Sequence, residues 1–107
     1  DLTLVEGVGG VMSPISEDAT GLDLMAALGL PTVLVGGGYL GAISHTLTAL
    51  ETLRARNLPV LALVISQGAD PEAPDFIQTV ESVAAFAGDV PVLPAARGDE
   101  AWAQALF

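Results

Sequence analysis

Short apolar runs, set apart by glycines, prolines and clustered acids, recur along this chain. Leu2-Thr3-Leu4-Val5, Thr32-Val33-Leu34-Val35, Pro59 to Ser66 and Val90-Pro91-Val92-Leu93 lack the polar alternation of a half-wet strand. They predict strands covered on both faces, as in a parallel sheet. Helical spacing fills the gaps between them. Thr20 is placed to cap a helix carrying Leu22, Met25, Ala26 and Leu28 on one stripe, with Asp23 completing a variant of the capping box. Gly29 then ends that helix in the left-handed conformation. From about Ala42 to Arg56 a second stripe holds Ile43, Leu47, Ala49, Leu50 and Leu53, with Arg54 and Arg56 beside the negative end of the helix dipole. Asp75 heads a third helix, Phe76 to Ala87, with Ile77, Val80, Val83, Ala84 and Ala87 on its apolar face, and Asp99 caps a terminal helix that packs Trp102. Proline within the last strand predicts an edge position or a strand start. Four strands alternating with three crossover helices specify an α/β fold: a parallel sheet flanked by helices.

Composition narrows the partners. With 107 residues the chain is at most one domain, short for a doubly wound nucleotide-binding fold. It opens on Asp1, within an apparent strand, so the expectation is a chain cut from something longer. Thirteen acidic residues against three arginines give a net charge of −10, which disfavours nucleic acid and anionic membrane surfaces as partners. No apolar run approaches the length of a membrane helix. The absence of cysteine excludes disulfides and thiolate metal sites and suits a cytoplasmic location. There is no lysine, and no G-x-x-x-x-G-K-[ST] loop for nucleotide phosphates.

Two glycine-rich turns carry the candidate chemistry. Glu6 ends the first apolar run and is followed at once by Gly7, Gly9 and Gly10. In open α/β sheets the carboxyl ends of the strands line the ligand crevice, which makes Glu6 a candidate ligand-binding acid; a solvated loop acid is the other reading of the same residue. Gly36-Gly37-Gly38-Tyr39-Leu40-Gly41 leads from the second strand into the second helix. A helix amino terminus bare of side chains offers N–H groups and positive dipole to an anion, and without lysine this one suits a carboxylate better than a phosphate. Close packing of helix on sheet is the alternative role for those glycines. Glu17 and Asp18 read as solvated acids at a helix start rather than metal ligands. His45, the only histidine, faces packing or solvent, so no catalytic residue is assigned in this chain.

Val5-Glu6-Gly7-Val8-Gly9-Gly10, a Ser-Glu-Asp segment, Leu28-Gly29-Leu30-Pro31-Thr32-Val33-Leu34-Val35 and Leu40-Gly41-Ala42-Ile43-Ser44-His45-Thr46-Leu47 together resemble the carboxyl-terminal half of the dethiobiotin synthetases. The resemblance implies a P-loop NTPase-like doubly wound fold in which residues 1–107 are the carboxyl-terminal portion of a single domain, the phosphate-loop half lying before residue 1. It implies a homodimeric enzyme that uses ATP and Mg2+ to close 7,8-diaminononanoate and CO2 into the cyclic urea dethiobiotin. By the same resemblance Glu6 is a magnesium ligand at the nucleotide, and Gly9 touches both substrate and nucleotide. Leu40, Gly41 and Ser44 hold the diaminononanoate carboxylate across the dimer interface. Ser66, Gln67 and Pro91 line the adenine. The chain departs from the family pattern twice, with Ser44 and Ser66 where asparagine is usual. Either Gln67 replaces the second amide or adenine selectivity is relaxed. A non-catalytic ligand-binding or regulatory module, related to amidoligases of cobalamin synthesis and to phosphotransacetylase amino-terminal domains, is the alternative function.

Overall fold

A computed structural model describes residues 1–106. In chain order the elements are α1 (Gly21–Leu28), β1 (Thr32–Gly37), α2 (Ala42–Ala55), β2 (Val60–Ser66), α3 (Phe76–Phe86), β3 (Val92–Ala95) and α4 (Ala101–Gln104). The strands form one parallel sheet in the order β1-β2-β3. Val33 to Gly37 pair with Ala62 to Ser66, and Leu63 to Ser66 with Val92 to Ala95. The α/β class expected from the runs is therefore the observed one.

Because both crossovers step in the same direction across the sheet, α2 and α3 lie on the same face and touch each other. Between them and the sheet sits the core: Leu34, Leu63 and Ile65 from the strands, Leu50 and Leu53 from α2, Val83 and Ala87 from α3 and its cap, and Leu22 from α1. Burying side chains of this size stabilises by about 1.5–3 kcal/mol each relative to exposure. The opposite face, which carries Val35 and Val64, is covered only in part, by the turn of α4. Val64 is buried there while Val35 is 64% exposed. Sequence pattern predicted two-sided burial for both strands, and only β2 attains it, because β1 is an edge strand lacking a helix on its outer face.

The largest departure lies at the start. Leu2 to Val5, expected as a buried strand, form no strand and remain exposed, Leu4 by 72%. An apolar run becomes a strand only when a neighbour completes its ladder and a second layer covers it, and neither edge of this sheet does so for residues 2–5. With that strand absent, the described sheet has three strands rather than four.

Smaller shifts have local causes. β3 runs Val92–Ala95, two residues later than expected, because Pro91 contributes only its carbonyl, which accepts the Leu63 N–H at 2.9 Å. Pro94 sits within the strand opposite Ile65, tolerable because β3 is an edge. α3 turns Phe76, Thr79, Val80, Val83 and Ala87 inward, whereas Ile77 and Ala84 face outward. The expected stripe was rotated by one residue because Thr79, polar in sequence, is buried with its hydroxyl donating to the Asp75 carbonyl at 2.9 Å.

The caps of α1 and α3 came out where the sequence put them, whereas α4 starts after Glu100, so that Asp99, expected as its cap, stands one residue early and accepts the Ala101 N–H at 2.9 Å. Asp75 accepts the Gln78 N–H at 2.9 Å, and Gly29 has φ 64°. Asp23 accepts the Thr20 N–H at 2.8 Å as the acidic half of the capping box. α4 is a single turn, and Phe107, the last residue of the expected terminal helix, lies outside the described residues. No helix among the described residues is long and apolar enough to cross a membrane.

Candidate functional site

The strands point their carboxyl ends the same way, so Gly37, Ser66 and Ala95 line one rim in register. Three loops leave that rim. The first, Gly38 to Gly41, is short because glycines let it fold back on itself. A Cβ at Gly37 would meet the Tyr39 ring at 2.6 Å, and Gly41 has φ 93°. Ala42 N–H closes the turn on the Tyr39 carbonyl at 3.0 Å. Gly41 thus caps α2 without any side-chain acceptor, leaving the helix start bare. Leu40, 87% exposed, and Ser44 stand on either side of that start. Leu40, Gly41 and Ser44 are all exposed, so this helix start is accessible to solvent. His45 is exposed and its Nδ1 lies 2.9 Å from the Tyr39 hydroxyl, so it braces this loop.

The same glycine segment also packs the fold. A side chain at Gly36 would collide with Thr46 Oγ1, and would lie 2.8 Å from Thr46 Cγ2 and 3.2 Å from Ile65 Cδ1. Gly36 is therefore the contact that brings α2 onto β1. Within this glycine run Gly36 serves packing, while Gly41 has open space where a side chain would stand.

The second and third loops build a depression of about 300 Å³ on the partly covered face of the sheet. Val35 and Val64 form its floor, Ser66 and Gln67 its rim, and Arg97 and Trp102 its far wall. Ser66 and Gln67 are thus brought together, as expected. Pro91 is not: it precedes β3 at the amino-terminal end, while Pro94 and Ala95 stand opposite Ile65 and Ser66 at the rim. Sequence reasoning missed Ala95 and the Arg97 wall. The available signal was register, since Ala95 pairs with Ser66 at the end of the neighbouring strand. A neighbouring hollow of about 250 Å³ lies between the loops after β1 and β2, with Gly38, Asp70 and Phe76 among its walls.

Glu6 and Gly9 belong to a separate feature. Residues 1–10 are exposed throughout. Gly9 has φ 80°, and its position is filled from behind by the Ser13 side chain. Gly10 N–H donates to Ser13 Oγ at 2.8 Å, while Gly21 and Leu22 donate to the Ser13 and Val11 carbonyls, which ties the glycine turn to the start of α1. Glu6 makes no ion pair among the described residues, and no group of three or more metal-ligating side chains is found among them. A lone solvated carboxylate fits one hard-oxygen position on magnesium, which usually takes only one or two protein carboxylates.

Electrostatics mark only one residue. The Thr20 N–H holds the Asp23 carboxyl below its ordinary range, helped by the Thr20 hydroxyl and Arg56 against some desolvation. Arg56 lies 3.4 Å away, an exposed pair that joins the end of α2 to α1. Asp23 is a structural acid, remote in role from the rim.

A family model described as an AAA domain matches residues 1–99. The ATP-dependent dethiobiotin synthetase BioD of Phenylobacterium zucineum is 67% identical, covering 99% of this chain and 46% of that protein. The enzymes of the same name from Caulobacter vibrioides and a Caulobacter species are 55% and 52% identical, over 90% and 94% of this chain. Each of those two alignments covers 43% of the relative, so the chain spans less than half the length of the curated relatives it matches.

Proposed function

The chain belongs to the AAA-domain family, and from that premise we propose that the protein it represents is an ATP-dependent dethiobiotin synthetase, closing 7,8-diaminononanoate with CO2 to the cyclic urea. The observation that carries this reading is 67% identity along 99% of the chain to a protein of that name. The rim supports it, because a side-chain-free helix start suits a carboxylate and the depression over Val35 and Val64, with Trp102 in its wall, suits a planar base. Every relative described above bears the name of an enzyme, which favours turnover over the binding-module alternative.

Within this proposal each group has a task set by its position. The start of α2, with Gly41 as cap and Leu40 and Ser44 beside it, orients the substrate carboxylate through its N–H groups and dipole. Ser66 and the depression beyond it hold the nucleotide base. Glu6 supplies one magnesium ligand, and Gly9, at a φ of 80° that favours glycine, meets substrate and nucleotide with its backbone. Magnesium, when bound, neutralises phosphate charge that this acidic chain cannot. The phosphate loop and its lysine are placed in the part of the enzyme beyond these residues, and the assembly is a cytoplasmic homodimer in which the α2 start of one subunit serves the other.

The test is product analysis with the full-length protein. Diaminononanoate, bicarbonate and Mg·ATP together are expected to yield dethiobiotin and ADP in equal amounts, and omission of any one to yield none. ADP released without dethiobiotin would remove the reading. Glu6→Gln keeps shape and removes one anionic ligand, so it is expected to weaken Mg·ATP binding by about tenfold, measured calorimetrically. Equal affinity in both forms would make Glu6 a loop acid.

A further inference from the structure

Gln67 follows the last residue of β2, and its backbone N–H donates to the Ala95 carbonyl at 3.0 Å. Its side-chain Oε1 accepts the Arg97 N–H, also at 3.0 Å. These two bonds fasten the exit of β2 to the loop leaving β3. A primary amide has one carbonyl acceptor and one NH2 donor, and the partner decides which end is which: an N–H from Arg97 must meet the oxygen. The loop so held, with Trp102 beyond it, is the far wall of the depression over Val35 and Val64. Without that bond the wall keeps the Gln67 N–H to Ala95 carbonyl contact at its root and the Asp99 N–H to Ala96 carbonyl turn within it, but its Arg97 N–H loses its partner.

We propose that Gln67 is a positioning residue for a nucleotide base in this depression, building the wall against which the base lies rather than reading the base's edge. The proposal rests on the nucleotide-dependent reading above. Telling a 6-amino from a 6-oxo purine requires an acceptor turned to the amino group. With its oxygen engaged by the Arg97 N–H, Gln67 serves the wall, and a residue in that role contributes to the affinity of every purine alike. Ser66, whose hydroxyl both donates and accepts, offers no fixed preference either.

The experiment titrates Mg·ATP and Mg·ITP into the full-length protein and its Gln67→Leu and Gln67→Glu variants, and follows hydrogen exchange at the Arg97 amide. In Gln67→Leu that amide is expected to exchange about tenfold faster, and both nucleotides to bind about three- to tenfold more weakly, with their ratio unchanged. Gln67→Glu, which keeps an acceptor, is expected to keep the Arg97 amide protected. A Gln67→Leu variant whose ATP to ITP ratio shifts by more than about threefold would make Gln67 a base reader and overturn the proposal. Unchanged Arg97 exchange, or unchanged affinity for both nucleotides, would overturn it as well. Wild-type protein that binds neither nucleotide would remove the nucleotide reading itself, an outcome distinct from the others because they require binding by the wild type.

Discussion

Gly36 is where a single methyl group matters most. With Thr46 and Ile65 already in contact around it, any side chain must push α2 off β1. Overpacking of this kind costs about 1–3 kcal/mol, so Gly36→Val is expected to lower the urea midpoint accordingly without changing the rim residues. An unchanged midpoint would show that Thr46 swings aside. Asp23 gives a second residue-scale test. Its carboxyl is held low in the folded state, so its contribution is present above the unfolded value of about 3.9 and is lost as pH falls through the folded value. Asp23→Asn should therefore be less stable than the parent at about pH 7, and the gap should close near pH 2, as read from denaturation midpoints. A gap that persists in acid would mean the loss lies in packing rather than charge. At this scale the caps of α1 and α3 were legible and that of α4 was not, and close packing was one of two roles the glycines offered without being assigned to Gly36. A cap announces itself by residue type, whereas a close approach is known only once the opposing Thr46 is placed.

At the scale of elements, α2 couples the fold to the site. Its first turn has no capping side chain, and Gly41 reaches that geometry at φ 93°, a conformation β-branched residues resist by roughly 1–2 kcal/mol. In the full-length enzyme Gly41→Val should raise the KM for diaminononanoate by about tenfold or more and loosen the dimer, with little change in ATP affinity. Substrate kinetics unchanged by that substitution would leave the glycine as a packing residue. Helices α1 to α3 and strands β1 and β2 were legible because their apolar spacing is dictated by partners within the chain. Leu2 to Val5 were not, since a strand's existence depends on a neighbour that periodicity cannot see. Likewise the two-residue shift of β3 moved Pro91 away from the rim and put Ala95 there, a matter of register rather than composition.

The whole molecule shows one finished face and one open one. α2 and α3 seal the first, while exposed Val35 on the second and the exposed apolar residues Leu2, Leu4, Val5 and Val8 have no partner layer among the described residues. A doubly wound domain covers its second face with helices from strands added in the other direction, which fits a chain spanning less than half of its relatives. The central claim is that this chain carries a carboxylate-facing helix start and a base-facing depression, and lacks the positive charge that phosphoryl transfer requires. The direct measurement is dethiobiotin formation under identical conditions by the full-length protein and by residues 1–107 alone. Turnover by the full-length protein and none by the 107-residue chain is the expected result. Steady turnover by the 107-residue chain alone, or none by either, would contradict the account.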